Sequence, residues 1–205
     1  ADDHREGIKP GTVWNAATRQ RIPAGAERGF GSLDPRPLIE RGFGVATFYY
    51  GDVDPDFSGA ATLGVRGLYL AGGQTRPADD EWGAIAAWAW GISRAIDYFE
   101  TSPSVDAERI AIVGISRLGK TVLWAGANDP RIAMVLASCS GEGGAALSRR
   151  NYGETIAHLT APTRYPYQFA ANYAKWADRV DEFPIDSHFI LSLIAPRPVL
   201  LLTGN

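Results

Sequence analysis

Ser116 is the residue in this sequence whose surroundings could most readily do chemistry. It follows an apolar run, Ile110 to Val113, and Gly114, and it precedes Arg117, Leu118, Gly119 and Lys120. A short buried strand, a glycine-punctuated turn carrying serine and a helix directly behind it form the layout of a nucleophile elbow. Such a turn lifts the hydroxyl above the edge of a sheet, and the free N–H groups of the helix N-terminus face any negative charge that develops there. A serine hydroxyl is a poor nucleophile at neutral pH and needs an adjacent base, normally histidine. The common elbow spacing is G-x-S-x-G, whereas here it is Gly114-x-Ser116-x-x-Gly119. A second reading stands beside it, a buried strand ending in a helix that the serine merely caps.

The elements that would position this serine follow from the hydrophobic pattern. Residues 1–36 are rich in Gly and Pro and show little periodicity, which predicts mainly loop. Pro37 to Arg41 reads as a short helix and Gly44 to Tyr50 as a first strand, broken by Gly51-Asp-Val-Asp-Pro-Asp-Phe57. Between Glu81 and Glu100, apolar residues including Ile85, Trp88, Ala89, Ile92, Ile96 and Phe99 fall largely at i, i+3, i+4 and i+7, the mark of a long amphipathic helix. Trp82, Trp88 and Trp90 sit at helical spacing and read as core. A strand over 109–114, a helix over about 118–127, a strand over 132–138, a short helix over 189–194 and a strand over 198–202 complete the pattern, with helical and irregular segments over 145–180. Strands separated by helical patterns imply an α/β fold, a parallel sheet with helices on both faces. No internal repeat or low-complexity segment is evident.

Composition sets bounds on function. With 205 residues, 45% of them hydrophobic, the chain is large enough for one α/β domain or most of one. A net charge of -3 without a long basic run argues against a nucleic-acid partner. The single cysteine, Cys139, cannot close an intrachain disulfide. No apolar run approaches the ~18–20 residues that span a bilayer, so no membrane partner is expected. No signal peptide is visible, although Ala1-Asp-Asp-His-Arg is an unusual start and is compatible with one having been removed. The three histidines, His4, His158 and His188, show no metal-ligand spacing with Cys139, and Gly141-Glu-Gly-Gly144 lacks the Lys-Ser/Thr of a phosphate loop. Neither metal nor cofactor is expected.

Several separated motifs then resemble one family. Gly114-Ile-Ser-Arg-Leu-Gly-Lys120 is similar to the G-x-S-R-x-G-K signature of the glucuronoyl esterases, carbohydrate esterase family 15, here of bacterial type. Phe48 to Asp56, Trp88 to Asp97, Ser140 to Gly144, Ser148 to Glu154 and Asp186 to Pro198 also look like theirs. The resemblance covers about residues 40–205. It implies an α/β-hydrolase, a three-layer sandwich on a mostly parallel sheet, that cleaves the ester between (4-O-methyl-)glucuronic acid of xylan and lignin alcohols through an acyl-enzyme. It implies Ser116 as nucleophile, Arg117 in the oxyanion hole, Lys120 on the sugar hydroxyls and Glu154 as a further sugar contact. It also implies a secreted or periplasmic protein.

The acid and the base depart from the pattern. Many members carry the triad glutamate 23 residues after the nucleophile, where this chain has Cys139. Other bacterial members take an aspartate just after the strand that corresponds to Pro198–Leu202, which would lie beyond Asn205; Glu142, in the same loop as Cys139, is the alternative. The family's histidine comes later still, and Asp186-Ser-His188 resembles a structural element, with His188 expected to hydrogen-bond within the core. The chain thus reads as an internal part of one catalytic domain. A second segment or chain is expected to supply an aspartate, a sugar-stacking tryptophan and the catalytic histidine. Two alternatives remain open, an acetyl xylan esterase or related carboxylesterase, and a non-catalytic carbohydrate-binding protein on the hydrolase scaffold.

Overall fold

The computed structural model describes residues 12–24, 34–150 and 152–203. Two strands, β1 (Thr12–Asn15) and β2 (Gln20–Pro23), pair antiparallel in a stretch whose composition predicted loop. The Asn15 carboxamide accepts from the Ala17 and Thr18 N–H groups and closes the turn, with Arg19 in the left-handed region at φ 54°. Four-residue strands are too short to show periodicity, which is why composition gave loop. Arg21 packs its guanidinium over the Trp14 ring and pairs with Asp52 at 2.7 Å, docking the hairpin beside the segment that follows.

Helix α1 (Arg36–Ile39) is the short helix expected near 37–41. The strand expected over 44–50 is absent. These residues are mostly exposed and have no ladder partner among the described residues, and the chain turns into a tight helical bend at Tyr50–Asp52. An apolar β-prone run becomes a strand only where a neighbouring edge takes up its N–H and C=O groups.

The long helix is present as α2 (Ala84–Glu100), followed by β3 (Ile110–Ile115), α3 (Arg117–Asn128) and β4 (Ile132–Ser138). Helix α4 (Ile156–Thr160), several single-turn bends, α5 (His188–Ile194) and β5 (Val199–Leu202) complete the chain. The larger sheet is parallel in the order β3-β4-β5, with Gly114 opposite Ala137 and Ala137 opposite Leu201. Helices α2, α3 and α5 share one core with this sheet, built on Ala89, Ile96, Val122, Leu123, Val135 and Ile194. Val113 and Ile115, which alternate with the core-facing residues of β3, are 65% and 62% exposed. The three tryptophans do not form one cluster. Trp88 is fully buried against Tyr50, Trp82 packs edge-on to Tyr69, and Trp90 lies under Arg94.

Two arginines fasten the end of α3, where the last carbonyls lack intrahelical partners. Arg197 donates to the carbonyls of Gly126, Asp129 and Ile132. Arg131 forms a two-point contact with Asp129 and also pairs with Asp97 and Glu100 of α2. The hydrogen bonds from Arg131 pull the Asp129 pKa from 3.8 down to about 2 against the opposing effect of burial. A carboxylate whose folded pKa is depressed stabilises the fold above its unfolded pKa and loses that contribution as pH falls toward the folded value. Asp129→Asn is therefore expected to cost about 2 kcal/mol at pH 7, with the deficit shrinking as pH falls from about 4 toward 2. Urea denaturation of both proteins across that range reads the effect.

Candidate active site

Strand β3 ends at Ile115, α3 begins at Arg117, and Ser116 between them holds φ 58° and ψ -123°. Left-handed backbone at a serine costs of order 1–3 kcal/mol, and it turns the chain from strand to helix within one residue. The Ser116 N–H donates to the Ser138 carbonyl at 2.8 Å, so the end of β4 braces the turn. The serine side chain makes no capping hydrogen bond to α3, and the residue is exposed. This removes the reading in which Ser116 merely caps its helix. The hydroxyl is left for another partner.

The spacing Gly114-x-Ser-x-x-Gly119 has a steric cause. A Cβ at Gly114 would lie 2.1 Å from the Leu118 carbonyl oxygen, and one at Gly119 would lie 2.7 Å from the Ser138 oxygen and 3.2 Å from the Ser140 Cβ. The first glycine lets the incoming helix fold back over the strand, and the second lets that helix pass the end of β4. Because the obstacle at Gly114 is backbone, no rotamer change relieves it. Gly114→Ala is expected to cost about 3 kcal/mol in chemical denaturation and to remove activity with it.

Arg117 presents its guanidinium 4.8 Å above the centre of the Tyr165 ring and donates one N–H to Asp56 at 2.5 Å. Burial acts against its charge, but Asp56 more than offsets this and its pKa lies above the ordinary arginine value. The remaining N–H groups of Arg117 have no partner among the described residues. A cation beside the serine, with free donors, can stabilise an oxyanion.

One helical turn on, the Lys120 N–H donates to the Ser116 carbonyl, and the residue is 5% exposed. Its ammonium donates to the Ser140 carbonyl at 2.6 Å and lies 3.7 Å from the Glu154 carboxylate. Burial lowers its pKa, opposed by the nearby Glu154 and Glu142. Gly141, at φ 57°, passes close by, since a Cβ there would sit 2.9 Å from Glu154 Oε2. The fold thus brings Ser116 and Lys120 together with Glu154 at one end of the sheet from two separate parts of the sequence.

Glu142 is buried and engaged. Its Oε1 accepts from the Ser148 hydroxyl at 2.6 Å, the Tyr173 hydroxyl at 2.7 Å and the Gly143 N–H at 3.1 Å. Cys139, at the position where many relatives of the expected family carry their acid, is exposed at φ 47° and donates its N–H to the Leu202 carbonyl. Among the described residues, no histidine ring hydrogen-bonds Ser116 or Glu142. His158 is half-buried on α4 and His188 opens α5; His4 lies outside the described residues. The expectation that His188 bonds within the core is corrected: it is exposed and rests its ring on Phe189 at 4.6 Å. The neighbouring Asp186 makes the core contacts instead, accepting from the N–H groups of Ser148 and Ser187.

Sequence reasoning missed Asp56, Tyr50 and Tyr167, which surround Arg117. Asp56 stood inside a family-like motif, but nothing in its spacing pointed 61 residues down the chain to Arg117.

A family model described as "Glucuronyl esterase, fungi" matches residues 69–205. A carbohydrate esterase, MZ0003, from an unknown prokaryotic organism is 49% identical over 163 residues, 80% of this chain and 37% of its own length. A glucuronoyl esterase from Solibacter usitatus superposes with a TM-score of 0.86 at 42% identity, covering 96% of this chain and 50% of that one. A promiscuous esterase of carbohydrate esterase family 15 from a marine bacterial metagenome superposes with a TM-score of 0.77 at 41% identity, covering 97% of this chain and 51% of that one. The chain therefore spans about half the length, or less, of these relatives. The match over most of the chain, together with the elbow and its flanking cations, shows that the chain belongs to the glucuronoyl esterases of carbohydrate esterase family 15 and has their α/β-hydrolase fold.

Proposed function

We propose that the protein hydrolyses esters of (4-O-methyl-)glucuronic acid, such as those joining glucuronoxylan to lignin alcohols, by transferring the uronoyl group to Ser116 and then to water. The observation that carries this reading is the Ser116 hydroxyl, exposed on a strained elbow, uncommitted to its own helix and followed directly by a part-buried arginine with free donors. In the attack the serine oxygen bonds the ester carbonyl carbon, its proton leaves to a base, and Arg117 with the N-terminal N–H groups of α3 takes up the oxyanion. Collapse expels the alcohol, and water repeats the sequence to release the acid. Lys120 has three donors, of which Ser140 takes one and Glu154 pairs with the charge, so a donor remains for a sugar hydroxyl; the Glu154 carboxylate is an acceptor for another.

The base, the triad acid and a stacking tryptophan are assigned to a second segment or chain. Glu142, held by Ser148 and Tyr173, then serves to brace its loop rather than to orient an imidazole. Action on plant polysaccharide fits a secreted or periplasmic protein; among the described residues no helix is long and apolar enough to cross a membrane. Acetyl esters are the competing substrates. The complete protein that contains this chain should release benzyl alcohol from benzyl glucuronate far faster than acetate from acetylated xylan. The opposite ranking would assign it to the acetyl xylan esterases.

A further inference from the structure

Asp56 accepts four side-chain hydrogen bonds beside Arg117, and the reaction as described does not use it. Its Oδ2 accepts from Arg117 Nη1 at 2.5 Å and from the Tyr50 hydroxyl at 2.9 Å. Its Oδ1 accepts from the Tyr167 hydroxyl at 2.7 Å and from Gln168 Nε2 at 3.3 Å. The four donors come from three parts of the sequence, and the carboxylate is 15% exposed. Burial and Asp56 together raise the pKa of both tyrosines above the ordinary phenol range, so they remain donors.

The turn that carries Asp56 is fixed from below. Two residues earlier, the buried Asp54 forms a two-point ion pair with Arg66 at 3.0 and 2.7 Å, and its carbonyl accepts from the indole N–H of Trp88 on α2 at 2.7 Å. Arg66 also reaches the Tyr167 carbonyl at 3.4 Å, so one arginine ties the Asp56 turn to the segment that supplies two of its donors. Asp56 therefore sits on a platform that is not free to follow Arg117; the arginine must come to it.

We propose that Asp56 is the positioning residue for Arg117, fixing one edge of the guanidinium so that its other edge faces the oxyanion formed at Ser116. This rests on the reading of Ser116 and Arg117 given above. The Tyr165 ring sets the plane of the guanidinium and Asp56 sets its direction. Without the carboxylate, an arginine 31% exposed at its side chain recovers several rotamers and meets the transition state only part of the time. The two phenols and the amide have a second effect. By sharing the carboxylate charge they weaken its neutralisation of the guanidinium, so Arg117 keeps positive potential for the substrate.

The test is a double-mutant cycle on benzyl glucuronate in the complete esterase. Asp56→Asn keeps the shape and is expected to lower kcat about 10- to 100-fold with KM changed less than about threefold. In an Arg117→Ala background the same change should slow the reaction no further, or restore part of it, because the carboxylate there has lost its counter-charge and repels the oxyanion. If Asp56→Asn fails to fold, Tyr167→Phe replaces it, with an expected drop of about three- to tenfold that also vanishes without Arg117. A loss of equal size in both backgrounds means that Asp56 acts through the fold and overturns the proposal while leaving the Arg117 assignment intact. If Arg117→Ala alone leaves kcat unchanged, the reading of Arg117 falls first, and this proposal with it.

Discussion

Ser116→Ala is expected to lower kcat for a glucuronate ester by about 10^5- to 10^6-fold, the scale seen when a serine hydrolase loses its nucleophile. The thermal midpoint should barely move, because the hydroxyl makes no hydrogen bond among the described residues and the elbow is held by backbone, through the Ser116 N–H on Ser138 and the Lys120 N–H on Ser116. Ser116→Gly sharpens the argument. At φ 58° and ψ -123° glycine pays little of the strain that serine bears, so this variant should be equally inactive yet more stable by about 1 kcal/mol. A residue chosen for stability would not show that pattern. Differential scanning calorimetry beside single-turnover hydrolysis measures both halves, and a residual rate within tenfold of the parent would exclude Ser116 as the attacking group.

Arg117→Ala should lower kcat by about 10^2- to 10^3-fold, the range for removing one preorganised oxyanion donor, with little change in KM. Arg117→Lys should recover little of it. An ammonium cannot lie flat on Tyr165, bond Asp56 on one edge and keep a second edge for a substrate, whereas a guanidinium stacked on Tyr165 and bonded to Asp56 can. Stability should fall only modestly, since Asp56 retains Tyr50, Tyr167 and Gln168 as donors. Equal rates for the lysine and arginine forms would mean that charge alone matters and that the geometry around Asp56 is incidental.

The parts of this site that could be read from sequence are those governed by local rules. Gly114 and Gly119 announced the elbow because backbone must pass within van der Waals distance at both, and that requirement leaves a mark at a fixed offset from Ser116. Helix α2 and strands β3 and β4 were legible because each turns a face to the core, and β5 because its apolar run pairs with β4, although Leu200, Leu201 and Leu202 are exposed. Hairpin β1–β2 was not, because an asparagine side chain closes it instead of the glycine that usually marks such a turn. The apolar run over 44–50 misled for the converse reason: β propensity was present and a pairing edge among the described residues was not. Asp56 lay beyond reach altogether. Its partners stand at 50, 117, 167 and 168, and no periodicity links those positions until the chain has folded.

The most direct check on the central claim is peptide mapping of the complete protein after treatment with a serine-reactive fluorophosphonate, with and without excess glucuronate ester. The expected result is one adduct per molecule on Ser116, loss of hydrolysis in proportion to labelling, and protection by the ester. Undiminished hydrolysis of benzyl glucuronate with Ser116 unlabelled, or inactivation tracking an adduct on another residue, would contradict the assignment of this elbow as the catalytic centre.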